Sequence, residues 1–294
     1  MLKGLIFALM LGFVLVGCGE QRKTASSLQS ASNFTKRSFM PENDLWRQAN
    51  LVGDNGMTEE EFNSIIDSVR TVYEPIVQGL GGNLVIQSDW QDTTVNAYAE
   101  REDGNWNVHM FGGLAKRPEV TPDGFRMVIA HEIGHHLGGF PFVSDWAANE
   151  GEADLFATLA AARNLWKNDT KTIKEVDATA KKLCDDNVGK ENQLLCYRSM
   201  TAGHSLAKLL GALGNTKVSF KTPDKSVVKK TDDQHPVAQC RLDTYVAGTL
   251  CQTAWNDGVI PQTETDAKRQ SCFNTSKNGY SIQARPRCWF HPSN

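Results

Sequence analysis

Residues 121–137 read Thr-Pro-Asp-Gly-Phe-Arg-Met-Val-Ile-Ala-His-Glu-Ile-Gly-His-His-Leu, and the interpretation of the whole chain begins with them. A helix is expected here, because Thr121 is a good N-cap and Pro122 suits the first helical position. The apolar residues that run to its end predict that this helix is mostly buried. His131 and His135 are four positions apart and therefore project from the same face of the helix.

This His-Glu-x-x-His motif predicts a site for one zinc ion. Two buried histidines need polar partners, and a single metal ion can satisfy both of them. Glu132 lies about 100° around the helix from His131. We therefore expect Glu132 to contact a water molecule rather than the metal. His109 and His136 are expected to be packing or surface residues, because His136 points roughly 100° away from His135.

The third protein ligand is expected from Glu150-Gly-Glu152-Ala-Asp154, which begins fifteen residues after His135 and opens a predicted helix that runs to about Trp166. Glu150 and Asp154 share one face of that helix. We assign Glu150 as the ligand and expect Asp154 to hold a zinc histidine by its other ring nitrogen. Glu152 is a competing ligand, but it points to a different face.

Hydrophobic periodicity elsewhere predicts an α+β fold with a small antiparallel sheet, a mostly helical remainder and the metal site on helices. A helix is expected to begin at a Thr58–Glu61 capping box and to end at Gly81-Gly82. Two of the expected strands are joined by a Glu102-Asp103-Gly104 turn. The expected strands cover residues 84–86, 94–100 and 106–111, and two further helices are expected over residues 204–213 and 236–255.

The N-terminal residues predict export and a lipid anchor. Residues 1–17 combine a basic start with an apolar run too short to span a bilayer, as a signal peptide does. They lead into Leu-Val-Gly-Cys18, which resembles a bacterial lipobox, so Cys18 is the expected lipidation site. Residues 18–43 are polar and rich in serine, and are expected to be a flexible tether. The protein is therefore expected on the bacterial cell envelope, facing the periplasm, and Gly19 favours the outer membrane.

The cysteines after the lipobox are even in number, which in an exported protein predicts disulfides. They are Cys184, Cys196, Cys240, Cys251, Cys272 and Cys288. Pairing between neighbours along the sequence (184–196, 240–251 and 272–288) is the first hypothesis among fifteen possible arrangements. The net charge of −3 and the lack of a basic block argue against a nucleic-acid partner.

Four motifs in order resemble the gluzincin zinc metallopeptidases, and within them the HtpX-like branch that includes the CAAX-prenyl proteases. In addition to the His-Glu-x-x-His motif of residues 131–135, the four are Asn96-Ala-Tyr-Ala99, Gly113-Leu114, residues 150–154, and His235-Pro236 with Arg241. The resemblance covers about residues 58–250 and implies a zincin-like fold. It suggests a metallopeptidase domain over residues 44–256, followed by a cysteine-containing extension over residues 257–294 that matches nothing in the family.

The resemblance also implies a mechanism, that of a zinc endopeptidase acting on envelope proteins. Glu132 would take a proton from water, and Asn96 or His235 would donate to the oxyanion. Alternatively, His235 could occupy the open zinc position and hold the enzyme latent. A protein or peptide substrate is expected to bind as an extended strand along the free edge that carries Tyr98 and Ala99. Arg241 is expected beside the site, in a supporting role.

Three other interpretations compete with this one. A metzincin-type protease is excluded, because its third ligand would fall on Pro141, which has no donor atom. A non-catalytic or chaperone-like envelope lipoprotein with a vestigial metal site is disfavoured, because Glu132 and all the candidate ligands are present. A zinc-dependent amidase acting on cell-wall peptide bonds remains open, because its metal chemistry would be the same.

Overall fold

The computed structural model describes Met1 and residues 36–48, 57–169, 172–173, 175–274 and 281–293. The described residues from 36 onward belong to one compact unit. The expected signal peptide and the lipidation site Cys18 lie outside the described residues, apart from Met1. The flexible tether expected over residues 18–43 does not extend to residue 43, because residues 36–38 are a strand of the sheet. The expected boundary at residue 257 does not separate compact units.

The chain has a mixed α+β fold. Its described strands are β1 (Lys36–Ser38), β2 (Asn83–Asp89), β3 (Ala97–Glu102) and β4 (Asn105–Phe111). Its described α-helices are α1 (Glu59–Gly79), α2 (Gly112–Ala115), α3 (Pro122–Leu137), α4 (Glu150–Phe156), α5 (Ala162–Trp166), α6 (Ala178–Asn187), α7 (Gln193–Leu213), α8 (Ala238–Leu250) and α9 (Glu264–Gln270). A π-helical segment (Ala157–Ala161) joins α4 to α5, and 3₁₀ turns cover Leu45–Gln48 and Lys190–Asn192.

The sheet is mixed, which corrects the expectation of an antiparallel sheet. Its strand order is β1-β3-β4-β2. β3 is antiparallel to both β1 and β4, but β4 is parallel to β2 over seven residue pairs. The β3–β4 hairpin turns at Asp103 and Gly104, whose positive φ angles of 50° and 80° are those of a type I′ turn. This hairpin places β4 between β3 and β2, so the loop over residues 90–96 passes across the end of β4.

Helix α3 is the centre of the fold. It runs from Pro122 to Leu137 as expected, and the Thr121 side chain accepts a hydrogen bond from the Gly124 amide. Almost all of its residues are buried, because it contacts α1 and the sheet on one side and α4 and α7 on the other. The sheet contributes alternate residues such as Ala97, Val108 and Met110 to the same core. The two histidines of the motif therefore project into the protein interior.

Three disulfides connect the C-terminal half of the chain. Cys184–Cys196 was expected from neighbour pairing, and that prediction is confirmed. The other two neighbour pairings are wrong, because the bonds are Cys240–Cys288 and Cys251–Cys272. Cys240 lies in the first turn of α8, and Cys251 follows its last residue. Eleven residues of helix span about 16 Å, far more than the roughly 6 Å between the Cα atoms of a disulfide.

The segment after residue 257 packs against the rest of the unit. The Trp289 indole donates to Thr244 on α8 at 2.9 Å, and the Phe140 amide donates to Pro261 at 2.9 Å. Trp289 is fully buried. Among the described residues, no helix combines the length and the apolar character needed to cross a membrane.

Candidate metal site

Three side chains converge between α3 and the first turn of α4. His131 and His135 come from α3 and Glu150 from α4, all three are fully buried, and one potential ligand atom of each lies within 4.8 Å of the others. The Nε2 atom of His131 is 3.3 Å from Glu150 Oε2, and that of His135 is 3.6 Å from Glu150 Oε1. This group is positioned to bind a metal ion.

The hydrogen bonds of both histidines leave a nitrogen lone pair directed at this group. His135 Nδ1 lies 2.8 Å from the carbonyl oxygen of Ala148, which can only accept, so the ring proton is on Nδ1. His131 Nδ1 lies 2.8 Å from Asp154 Oδ1, as expected for the supporting carboxylate. Neither Nε2 atom has a hydrogen-bond partner in the described part of the chain. A buried nitrogen without a partner is costly, and a metal ion at this point would satisfy both.

Gly134 sets the close approach of the two helices. A Cβ atom at this position would lie 2.9 Å from the carbonyl oxygen of Ala153 and 3.0 Å from its Cα. Both contacts are with backbone, which cannot rotate away. The glycine therefore lets α4 approach α3 closely enough for Glu150 to reach His131 and His135.

Glu132 lies beside the group with its carboxylate unused. It is fully buried, and neither oxygen has a hydrogen-bond partner among the described residues. Burial raises the pKa of Glu132 to about 8, with His131 opposing the shift and Glu150 adding to it. Burial also holds the pKa of His135 well below its usual range, so its imidazole is neutral. A neutral imidazole is the form that binds a metal.

Helix α8 holds the supporting carboxylate. Arg241 donates to both oxygens of Asp154, at 2.6 and 2.8 Å, and the Tyr245 hydroxyl donates to Oδ1 at 2.7 Å. Burial lowers the pKa of His131, but Asp154 beside it raises that pKa to about 9, so a metal ion that binds Nε2 would displace a proton from it. The family motif pointed to Arg241 but not to Tyr245. Tyr245 lies four residues further on the same helix face, and this spacing could have identified it.

Asn96 and His235 both contact residues 38–40. The Asn96 carboxamide accepts from the Met40 amide at 3.1 Å and donates to the Met40 carbonyl at 2.9 Å. His235 Nε2 donates to the carbonyl oxygen of Ser38 at 2.8 Å and lies 3.7 Å from Glu150 Oε2. A nitrogen that carries this proton has no lone pair for a metal. The expected free edge at Tyr98 is not free, because β1 covers it.

The remaining candidates have structural partners. Glu152, the competing ligand, is fully buried and accepts two hydrogen bonds of 2.7 Å from Arg285, so it is not part of the group of three. His136 is stacked between Trp106 and Trp146, with ring centroids 5.5 and 4.9 Å away, as expected for a packing residue. The sequence interpretation missed Arg285, because residues after 257 were treated as a separate extension.

His109 lies on β4 and is partly exposed, with Nε2 3.5 Å from Glu100. It takes no part in the group of three, as the sequence analysis expected.

Arg37 was also missed. Its guanidinium donates to Glu150 Oε1 at 2.7 Å, although 113 residues separate the two in the sequence. No motif marks it, because it falls in the stretch that was interpreted as a tether.

Comparison of the chain with protein-family models, with curated proteins and with solved structures finds no match.

Proposed function

We propose that this protein is a zinc-dependent endopeptidase of the bacterial cell envelope. His131, His135 and Glu150 would hold one zinc ion, and Glu132 would activate the attacking water. The observation that carries the proposal is the convergence of three buried ligand residues whose two Nε2 atoms and Glu150 Oε2 have no hydrogen-bond partner among the described residues. The buried carboxylate of Glu132, next to His131 in the sequence, is also without a partner there. Two imidazoles and one carboxylate are a ligand set that catalytic zinc uses, with a further position left open.

These side chains are better suited to a hydrolytic metal site than to a structural one. When bound, zinc lowers the pKa of water and polarises a carbonyl group. Glu132 neighbours His131 in the sequence, and its two free oxygens allow it to take a proton from water and pass it to the departing amine. A base whose pKa is raised by burial is well matched to proton transfer near neutral pH.

His235 and Arg241 supply the polar contacts that a peptide carbonyl needs. Each donates to a main-chain carbonyl oxygen, Ser38 for His235 and Phe39 for Arg241. The proton on His235 Nε2 favours the donor role over the alternative in which this histidine fills the open zinc position. Donors of this kind, fixed in advance, stabilise the negative charge that develops on the oxygen during hydrolysis.

The location in the cell envelope rests on residues 1–18. The basic start, the apolar run and Cys18 are the features that support export and lipidation. The three disulfides agree with an oxidising compartment. Proteins of the envelope are therefore the proposed substrates.

The test combines metal analysis with peptide hydrolysis. His135→Ala should lose zinc, whereas Glu132→Gln should keep one zinc per chain and lose activity by about 10²–10⁴-fold, because the base is not a ligand. His109→Ala is the matched control, since His109 lies outside the group and should leave both readouts unchanged.

The substrates should include unfolded envelope proteins and cell-wall peptides. Cleavage of cell-wall peptides alone would favour the amidase. Zinc binding without hydrolysis of either substrate would contradict the proposal and favour a non-catalytic lipoprotein.

A further inference from the structure

The edge of the sheet next to the metal site is covered by the chain itself. Lys36, Arg37 and Ser38 pair with Glu100, Ala99 and Tyr98 in antiparallel register. The pairing continues at Phe39, whose amide donates to the Ala97 carbonyl at 3.1 Å. We call residues 36–40 the N-terminal strap. Main-chain pairing along a sheet edge is also how many proteins bind an extended peptide.

Three polar side chains bind the main chain of this strap. His235 donates to the Ser38 carbonyl at 2.8 Å, and Arg241 donates to the Phe39 carbonyl. The next residue, Met40, forms two hydrogen bonds with the Asn96 carboxamide. Three consecutive residues are thus held by three donors from distant parts of the chain, as a bound peptide would be.

The side chains of the strap reach the ligand group itself. Arg37 donates to Oε1 of Glu150, one of the three candidate ligand residues, at 2.7 Å. The Phe39 ring meets the His131 ring edge to face, with centroids 5.1 Å apart, and Phe39 is fully buried. A second peptide could not take the same place while the strap remains there.

We propose that the N-terminal strap occupies the substrate-binding groove in the place of a substrate and holds the enzyme closed. This inference rests on the proposed function and names both its regulation and its substrate class. The carbonyl held by His235 belongs to Ser38, so the bond presented to the site is Ser38–Phe39. The groove therefore selects extended peptides with a small residue before the bond and an aromatic residue after it.

A strap of this kind acts as a competitor within the same molecule. Because only molecules with a displaced strap can bind a peptide, the apparent dissociation constant is the intrinsic constant divided by the open fraction. Loosening the strap should lower the dissociation constant and KM for a peptide and leave kcat unchanged. The contact of Arg37 with Glu150 is the best place to loosen it, because Arg37 is partly exposed and is not part of the hydrophobic core.

The experiment measures binding of a labelled peptide with the sequence of residues 35–42, Thr-Lys-Arg-Ser-Phe-Met-Pro-Glu, to the zinc-loaded full chain. All chains carry Glu132→Gln so that the peptide is not cut. The added substitution Arg37→Ala should strengthen binding about tenfold or more, the factor expected for a lost hydrogen bond between charged groups. A peptide with alanine in place of its arginine should lose the same factor. Arg70→Ala, at an exposed ion pair on α1, is the matched control and should change nothing.

A second measurement does not depend on a substitution at Arg37. The Phe39 amide donates a hydrogen bond to the Ala97 carbonyl, which protects it from hydrogen exchange. Its exchange should accelerate when the Glu132→Gln chain, with Arg37 intact, is saturated with peptide. Unchanged affinity in Arg37→Ala, together with unchanged Phe39 exchange, would show that the strap is a permanent strand and would overturn the inference.

Hydrolysis is scored separately, in chains that keep Glu132. If these chains bind zinc and cut no peptide while the binding series behaves as expected, the proposed function fails and the strap inference stands. If these chains cut peptides while Arg37→Ala changes neither the peptide affinity nor the Phe39 exchange, the proposed function stands and the strap inference fails.

Discussion

Substituting Arg285 should destabilise the whole unit, because it leaves a buried carboxylate without a partner. Arg285 donates two hydrogen bonds of 2.7 Å to Glu152 and one of 2.6 Å to Ser271, and both members of the ion pair are fully buried. Removing one partner of a buried ion pair costs about 3–5 kcal/mol. For a unit of this size, that loss corresponds to a fall in Tm of roughly 6–20 °C. Arg285→Ala should show it by circular dichroism.

The dependence on pH tests the cause of the loss. Burial raises the pKa of Glu152, and Arg285 opposes that shift. Without the arginine the pKa in the folded state rises further, so the folded variant keeps a proton that the unfolded chain releases. The loss of unfolding free energy in the variant is therefore present at pH values above the pKa that Glu152 has in the unfolded chain. It disappears as the pH falls towards that pKa. The stability difference between Arg285→Ala and the original chain should narrow between pH 8 and pH 5.

Two further variants complete this test. Replacing both partners, Glu152→Met with Arg285→Met, should recover most of the stability, because an apolar pair of similar volume needs no compensation. Arg269→Ala removes an exposed arginine that pairs with Asp266 one helical turn away, and it should cost at most about 1 kcal/mol. If Arg285→Ala lost no more than this control, or if its deficit were independent of pH, the assignment of Glu152 as a buried carboxylate held by the C-terminal segment would be refuted.

Three other predictions concern the metal site, the disulfides and the anchor. Gly134→Ala should weaken zinc binding in a chelator competition, because its methyl group would force α3 and α4 apart, whereas Gly79→Ala should not, since nothing lies within 4 Å of the added atom. Replacing both Cys240 and Cys288 by serine should remove one disulfide from the peptide map and lower the stability to unfolding by about 2–4 kcal/mol. Mass spectrometry of the membrane-bound protein should find acyl chains on Cys18, and an unmodified N-terminal peptide would contradict the lipid anchor.

The parts of the structure that depend on local sequence could be predicted from it. Helix α3 runs from its Thr121 cap to Leu137 as expected, because capping and periodicity act within a few residues. Glu150 was preferred over Glu152 because residues four apart share a helix face, and the group of three contains Glu150. The Asp103-Gly104 turn followed from the need for positive φ.

The parts that failed depend on contacts between distant residues. To predict the parallel pairing of β2 with β4, one must know which strand of the β3–β4 hairpin lies beside β2. The local sequence contains no signal for this. Strand β1 has only three residues in a polar stretch, and its pairing with β3 crosses about sixty residues. Helix α7 begins at Gln193, eleven residues before the predicted start, because its first turns pack through Cys196 and the disulfide to Cys184.

The candidate metal ligand on α4, Glu150, is held in place by residues from both the N-terminal and the C-terminal parts of the compact unit. Arg37, from the N-terminal strap, contacts Glu150, and Arg285, from the C-terminal segment, contacts Glu152 two residues later. Both carboxylates are buried, and each is stabilised by the charge of its arginine. The domain inferred from the family motifs, residues 44–256, contains neither arginine and leaves two of the three disulfides with a single cysteine each. The motifs therefore point to the three candidate ligands, whereas the residues that hold these ligands in place extend over residues 36–293.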